Sequence, residues 1–297
     1  MNPHEFANAL ITNRRATRTR RGQPCPVCGH QDGHCLRMED GSAALCPKSD
    51  GTGSVKRYGA YGHLYLLASD SVLGAMPMPV VSKRPERTDA ELDAIWRPRA
   101  VRWCERGQDE IGKLAMQIGV TTAALRALDT GWDGSAWTTP ERNGEGLIVG
   151  VSRRFPDGGK RCAVGSRRGL TYALGWMVAE GPILIVEGAS DVAAGITLGL
   201  PTIGRPSNLG GLKMLKTLLR NRRRKVIVVA ERDRKEDGRW PGMEGARTIA
   251  KGLGRRTVAR LLPHQAKDLR AWLTARQVDL FSAASREAAR RTLLKRL

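Results

Sequence analysis

Four short apolar runs set the strongest limit on what this chain can fold into. PILIVE (182–187), PTIG (201–204), KVIVVA (225–230) and RTVARLL (256–262) alternate with segments of helical spacing near 189–198, 212–219 and 243–253. Continuous apolar runs of this length read as strands buried on both faces, the habit of parallel sheets. Strand and helix in repeated alternation predict an α/β fold, a parallel sheet with helices on both faces. Chemistry in such sheets gathers beyond the carboxyl ends of the strands, and three of these ends carry acids. Glu187 closes the first run, with Asp191 one turn into the following helix. Glu231-Arg232-Asp233 follows the third run, and Lys267-Asp268 comes soon after the fourth. Grouped carboxylates repel one another and are costly to bury unpaired. A hard divalent cation, Mg²⁺ or Mn²⁺, resolves that repulsion and recruits phosphate oxygens. One such acid alone reads as a helix cap or an arginine partner; three at matching strand ends favour a metal.

A second metal signal lies near the amino terminus. Four of the six cysteines, Cys25, Cys28, Cys35 and Cys46, fall within 22 residues. Cys-Pro-Val-Cys-Gly has the form of a zinc knuckle, whose turn lets two thiolates reach one ion. LRM and AAL flank Glu39-Asp40-Gly41-Ser42 as a hairpin would, bringing Cys35 and Cys46 side by side. Four sulfurs then suit a closed structural Zn²⁺ site, with His30 and His34 as rival ligands. Cys104 and Cys162 stand apart and read as ordinary packing residues.

Fifty Lys and Arg against 29 Asp and Glu give the 297-residue chain a formal charge of +21. So basic a balance points to a polyanion partner, nucleic acid first. No apolar run is long enough to span a bilayer. MNPHEFANALITNRR lacks the apolar centre of a signal peptide, so a cytoplasmic location is the expectation.

The organisation expected is a zinc-binding domain at 1–75, a proline-containing linker at 76–90, a helical and basic β subdomain at 91–180, the parallel α/β domain at 181–276 and a basic helix at 277–297. Thr88 and Glu91 form a capping box that starts a helix near Asp89. The two helical runs at about 110–130, with Gly119 between them, suit a hairpin packed on the core better than a DNA-reading helix–turn–helix. GLIVGVSRRF and Lys160–Val164 read as two strands around the turn Pro156-Asp157-Gly158-Gly159. Trp132, Trp137, Trp176 and Trp240 are candidates for base stacking, although tryptophans more often fill cores.

ILIVEGASDVAAGITLGLPTIG followed by VIVVAERD…GMEGARTIA resembles the TOPRIM domain shared by primases, topoisomerases and some nucleases. Glu187-Gly188 matches its first element. Glu231-Arg232-Asp233 matches its Asp-x-Asp element with Glu in the first place, and RKEDGRWPGME lengthens the usual spacing before Gly245. The resemblance implies that Glu187 acts near the reacting phosphate and that Glu231 and Asp233 hold the metal, with Glu187 contributing. Asp191 and Asp268 occupy positions of further acids. The order of zinc module, basic strand pair and TOPRIM pattern resembles primases of the DnaG and phage types. By that resemblance Arg153, Arg154, Lys160, Arg161, Arg167 and Arg168 line a template groove. The implied activity is synthesis of short primers on single-stranded DNA from nucleoside triphosphates. Two other classes stay open: a metal-dependent TOPRIM nuclease, and a non-catalytic DNA-binding protein of replication or of a mobile element. A topoisomerase needs a nucleophilic tyrosine in a domain of its own, and Tyr58, Tyr61, Tyr65 and Tyr172 do not suggest one. No GxxxxGK[ST] sequence is present, so a helicase partner would be a separate polypeptide.

Overall fold

The structure is a computed structural model that describes residues 16–41, 43–54, 56–57, 62–67, 87–220, 223–254 and 256–297. The chain divides into two compact units, 1–86 and 87–297. Residues 76–86 of the expected linker, with Tyr58 and Tyr61, lie outside the described residues.

The first unit is an antiparallel sheet in the order β1-β2-β3-β5-β4, with β1 Ala16–Arg18, β2 Leu36–Met38, β3 Ala43–Cys46, β4 Lys56–Arg57 and β5 His63–Leu66. The expected hairpin is β2–β3, registered Leu36 to Leu45. Its turn uses Gly41 at φ 74°, a left-handed conformation that glycine adopts without strain. The flanking strands β1, β4 and β5 carry no pattern that marked them in the sequence.

The second unit opens with helix α1, Asp89–Gly107, and the capping box forms as expected: Glu91 N–H donates to Thr88 Oγ1, and Thr88 N–H donates to Glu91. Helices α2 (Ile111–Ile118) and α3 (Thr122–Ala127) turn about left-handed Gly119. Ile111, Leu114, Ile118, Leu125 and Leu128 are all buried, so this pair is a hairpin packed on the core.

A four-stranded antiparallel sheet follows, β6 Gly131–Trp132, β7 Trp137–Arg142, β8 Ile148–Arg154 and β9 Lys160–Cys162, in sequence order. The basic hairpin is β8–β9, registered Arg153 to Arg161. The last layer is the parallel sheet β11-β10-β12-β13, from β10 Ile183–Glu187, β11 Thr202–Arg205, β12 Val226–Ala230 and β13 Thr257–Leu261. Around it lie α4 (Ala189–Thr197), α5 (Leu212–Leu218), α6 (Pro241–Leu253), α7 (Leu269–Ala275) and α8 (Ala283–Arg296). Side chains alternate across its strands. Leu184, Val186, Ile227 and Val229 join Val192, Leu269 and Trp272 in one cluster. Ile183, Ile185, Val226, Val228 and Ala230 join Leu215, Ala246 and Ile249 in the other. Both faces are covered, which is why the strands read as unbroken apolar runs.

Residues 170–171 stitch the two sheets together. Leu170 exchanges two backbone hydrogen bonds of 2.7 Å with Arg142 on β7. Thr171 does the same with Gly204 on β11, at 2.9 and 2.7 Å. This seam sets the basic hairpin over the carboxyl ends of the parallel strands. Among the described residues, no helix is long and apolar enough to cross a membrane.

Candidate functional site

In the first unit the Sγ atoms of Cys25, Cys28, Cys35 and Cys46 all lie within 4.8 Å of one another. Cys35 Sγ sits 3.6 Å from Cys28 Sγ and 3.7 Å from Cys46 Sγ. A tetrahedron with zinc–sulfur bonds of about 2.3 Å has edges of roughly 3.8 Å, so the donor set fits Zn²⁺ in both chemistry and size. The knuckle is held by Gly29 N–H to Cys25 O and Cys25 N–H to His30 O, each 2.9 Å. Burial pushes the Cys35 and Cys46 thiols up. Burial also raises Cys28, but hydrogen bonding by His30, Cys46 and Cys35 outweighs it and lowers that thiol to about 6. His30 and His34 do not join the group: both are exposed, and His30 Nδ1 faces Cys28 O at 3.0 Å.

In the second unit, a cleft of about 300 Å³ lies between the basic hairpin and the strand ends. Arg153, Arg154, Lys160, Arg161 and Arg168 line one side, and Glu187, Glu231 and Arg205 line the other. Five of the six basic residues named from the sequence therefore line this cleft. Arg167 does not: it pairs with Asp89 at the start of α1. Arg168 is aimed by buried Glu141, which accepts from Arg168 Nε at 2.9 Å and from Gly169 N–H at 2.7 Å. Burial pushes the Glu141 carboxyl up, against the pull of Arg168. Arg153 is held by Asp133, 2.6 Å away. Its guanidinium also lies over the Phe155 ring at 4.8 Å, with that of Arg161 at 5.7 Å.

The acids occupy the strand ends as expected. Glu187 ends β10 before Gly188, which caps α4 at φ 81°. Asp191, buried in the first turn of α4, accepts from Arg270 N–H at 2.7 Å. Asp268 caps α7 by accepting from Ala271 N–H at 2.7 Å. Asp233 accepts from Gly242 N–H at 2.8 Å, in the first turn of α6. Arg232 turns away, with its guanidinium 5.6 Å from the Trp240 ring centre.

The acids sense one another. Burial, then Glu187, Asp268 and Asp233, raise the Glu231 carboxyl, with Lys267 opposing. Burial and then Asp268 raise Asp191 to about 7, which Glu231 reinforces and the Arg270 hydrogen bond offsets in part. Such mutual repulsion between hard oxygen donors is what a divalent cation relieves, so the donor set fits Mg²⁺ or Mn²⁺ in chemistry. The carboxylates have not closed into a ready ligand cage. Among the described residues, the four cysteines are the one group of three or more such side chains spaced to hold a metal.

Of the tryptophans, Trp137 lines the cleft and packs edge-on against Trp132 at 5.3 Å. Trp176 is 5% exposed within the core, which removes it as a stacking candidate. Sequence reasoning overlooked Glu141 and Arg205. Glu141 sits in a run, WTTPER, with neither strand nor helix periodicity, and Arg205 lies one residue beyond PTIG.

No protein-family model matches the sequence, and no curated protein matches it. Solved structures do. The zinc-binding and RNA polymerase domains of the Aquifex aeolicus primase superpose with a TM-score of 0.50 at 12% identity, covering 98% of this chain and 83% of that one. The fold is primase-like. The E. coli primase catalytic core aligns over 69% of this chain and 80% of its own, at 13% identity and a TM-score of 0.48. The RNA polymerase domain of the Mycobacterium tuberculosis primase DnaG aligns over 70% and 84%, at 17% identity and 0.46. The primase-like fold accounts for both halves of the sequence reading, the four-cysteine module and the parallel α/β core.

Proposed function

We propose that this chain is a primase-like nucleotidyltransferase that makes short primers on single-stranded DNA from nucleoside triphosphates. The observation that supports it most is the cleft itself, with five basic side chains on one wall and Glu187 and Glu231 on the other. The basic wall suits phosphate contacts, which position a strand without reading its sequence. Glu231 on the acidic wall, with Asp233 two residues further along and outside the cleft lining, would hold Mg²⁺ or Mn²⁺, which would supply charge neutralisation for a triphosphate. Gly242 N–H fixes one oxygen of Asp233. Glu187, which lines the cleft, would help to position or activate the attacking 3′-hydroxyl. The cysteine module would carry Zn²⁺, contact the template and bias where synthesis begins. A replicative helicase is a further proposed partner.

The test is primer synthesis on single-stranded DNA with labelled nucleotides and Mg²⁺ or Mn²⁺, wild type against Asp233→Ala. Short labelled oligomers are expected from wild type, and about a hundredfold fewer from the variant. Degradation of the template instead would assign a nuclease. DNA binding with neither activity would leave a non-catalytic module.

A further inference from the structure

Arg205 ends β11 and is 1% exposed. Its Nε and Nη2 have no hydrogen-bond partner, while Nη1 donates to Asn208 O and, at 3.2 Å, to Asn208 Oδ1. Withdrawing a guanidinium from water this completely is unfavourable unless opposite charge compensates. The compensation comes from the strand ends. Nη2 lies 3.6 Å from Glu187 Oε2, and Glu231 adds a second attraction.

Asn208 fastens the other side. Its Nδ2 donates to Pro241 O at 2.5 Å, in the first turn of α6. Gly245 leaves room for it, since a Cβ there would meet Asn208 Oδ1 at 1.9 Å. The neighbouring Gly242 donates to Asp233. A continuous run of contacts thus joins Glu187 to Asp233 through Arg205, Asn208 and the start of α6.

We propose that Arg205 is a built-in cation of the acidic site, standing at Glu187 in the place of a divalent ion, so that the site takes one divalent cation, at Glu231 and Asp233, and resists a second. This rests on the reading of the acids as a metal site. A fixed positive charge away from water opposes any further cation at the carboxylate it already serves. The same charge holds Glu187 before any ion arrives. Arg205 is thereby a positioning residue, acting through Glu187.

The test is Mn²⁺ titration of the full chain loaded with one equivalent of zinc, following free Mn²⁺ by electron paramagnetic resonance. Wild type is expected to take one equivalent, lost in Asp233→Asn. Arg205→Met is expected to take a second equivalent, or to bind the first about tenfold more tightly or more. Arg205→Lys, which keeps the charge, should behave as wild type. Should Arg205→Met fail to fold by circular dichroism, Arg205→Gln keeps a polar group near Asn208 without the charge and carries the same expectation. Folded neutral variants with wild-type stoichiometry and affinity overturn the inference while leaving the metal site standing. Wild type with no Mn²⁺ binding that Asp233→Asn removes overturns both.

Discussion

Asp191 shows how a single buried carboxyl can make stability depend on pH. Its ordinary value is 3.8, and burial with Asp268 nearby moves it in the folded chain to about 7. Between those values the folded state holds a proton that the unfolded state has released. Stability from this group is therefore complete below 3.8 and lost as pH rises through about 7. With one equivalent of zinc and no Mg²⁺ or Mn²⁺ present, Asp191→Asn should leave that part of the pH profile flat, because Asn keeps an acceptor for Arg270 N–H without the charge. The variant should gain on wild type as pH rises, by on the order of 2 kcal/mol at pH 8. Urea unfolding at pH 5 and pH 8 checks it. A difference between the two proteins that stays constant across that range would remove Asp191 as the source of the dependence. In the metal-bound protein the same substitution should weaken divalent-cation binding, since one negative charge leaves the cluster.

At the level of an element, the start of α6 decides where Asp233 points. Helix propensity alone favours Ala over Gly in a helix by about 0.5–1 kcal/mol. At Gly242 the environment reverses the sign: a Cβ would stand 2.3 Å from Glu231 O and 2.8 Å from Asp233 Oδ1. The first neighbour is backbone at the end of β12 and cannot swing aside. Gly242→Ala should thus destabilise by about 1–3 kcal/mol and lower Mn²⁺ affinity. Gly112→Ala in α2, where a Cβ meets nothing within 4 Å, should be neutral or stabilising. Equal effects of the two in urea unfolding would refute the steric account. The contrast also explains what could be read from the sequence. Strands β10 and β12 were legible because burial on both faces leaves an unbroken apolar run, and α1 because Thr88 and Glu91 are local partners. The acids were legible because parallel topology itself places strand ends together. Strand β7 was not: it holds Pro140 and the buried charges Glu141 and Arg142, whose partners Arg168 and Asp129 lie elsewhere in the chain. Arg205 was hidden for the same reason. Its burial depends on Glu187 and Asn208, and no local pattern records that.

Across the whole molecule, the two units are held together internally by different means. The second unit has large apolar clusters on both faces of its parallel sheet. Among the described residues of the first, Cys25, Cys35, Cys46 and Tyr65 cluster with Val27 and Cys28 against them, and Ala16, Leu36, Ala43, Ala44 and Leu45 are buried on its strands. The four zinc-spaced thiols are themselves the centre of that cluster, so metal–thiolate bonds are expected to supply a large part of the unit's folding free energy. Structural Zn²⁺ in comparable small modules contributes about 10–16 kcal/mol of binding free energy, which appears as folding free energy. A strong zinc chelator, or Cys35→Ser, should therefore unfold the first unit alone. Trypsin should then cut at Arg18, Arg20, Arg21 and Arg37, while a fragment from about Arg87 onward survives and keeps its thermal transition. Simultaneous loss of both units on chelation would show that the second depends on the first. Protection of the first unit without zinc would show that the cysteines pack as an ordinary core. The second unit, so isolated, should still bind Mn²⁺ at Glu231 and Asp233, because the Gly242 N–H that holds Asp233 and the charged groups that act on Glu231 (Glu187, Asp268, Lys267 and Asp233) lie within 87–297.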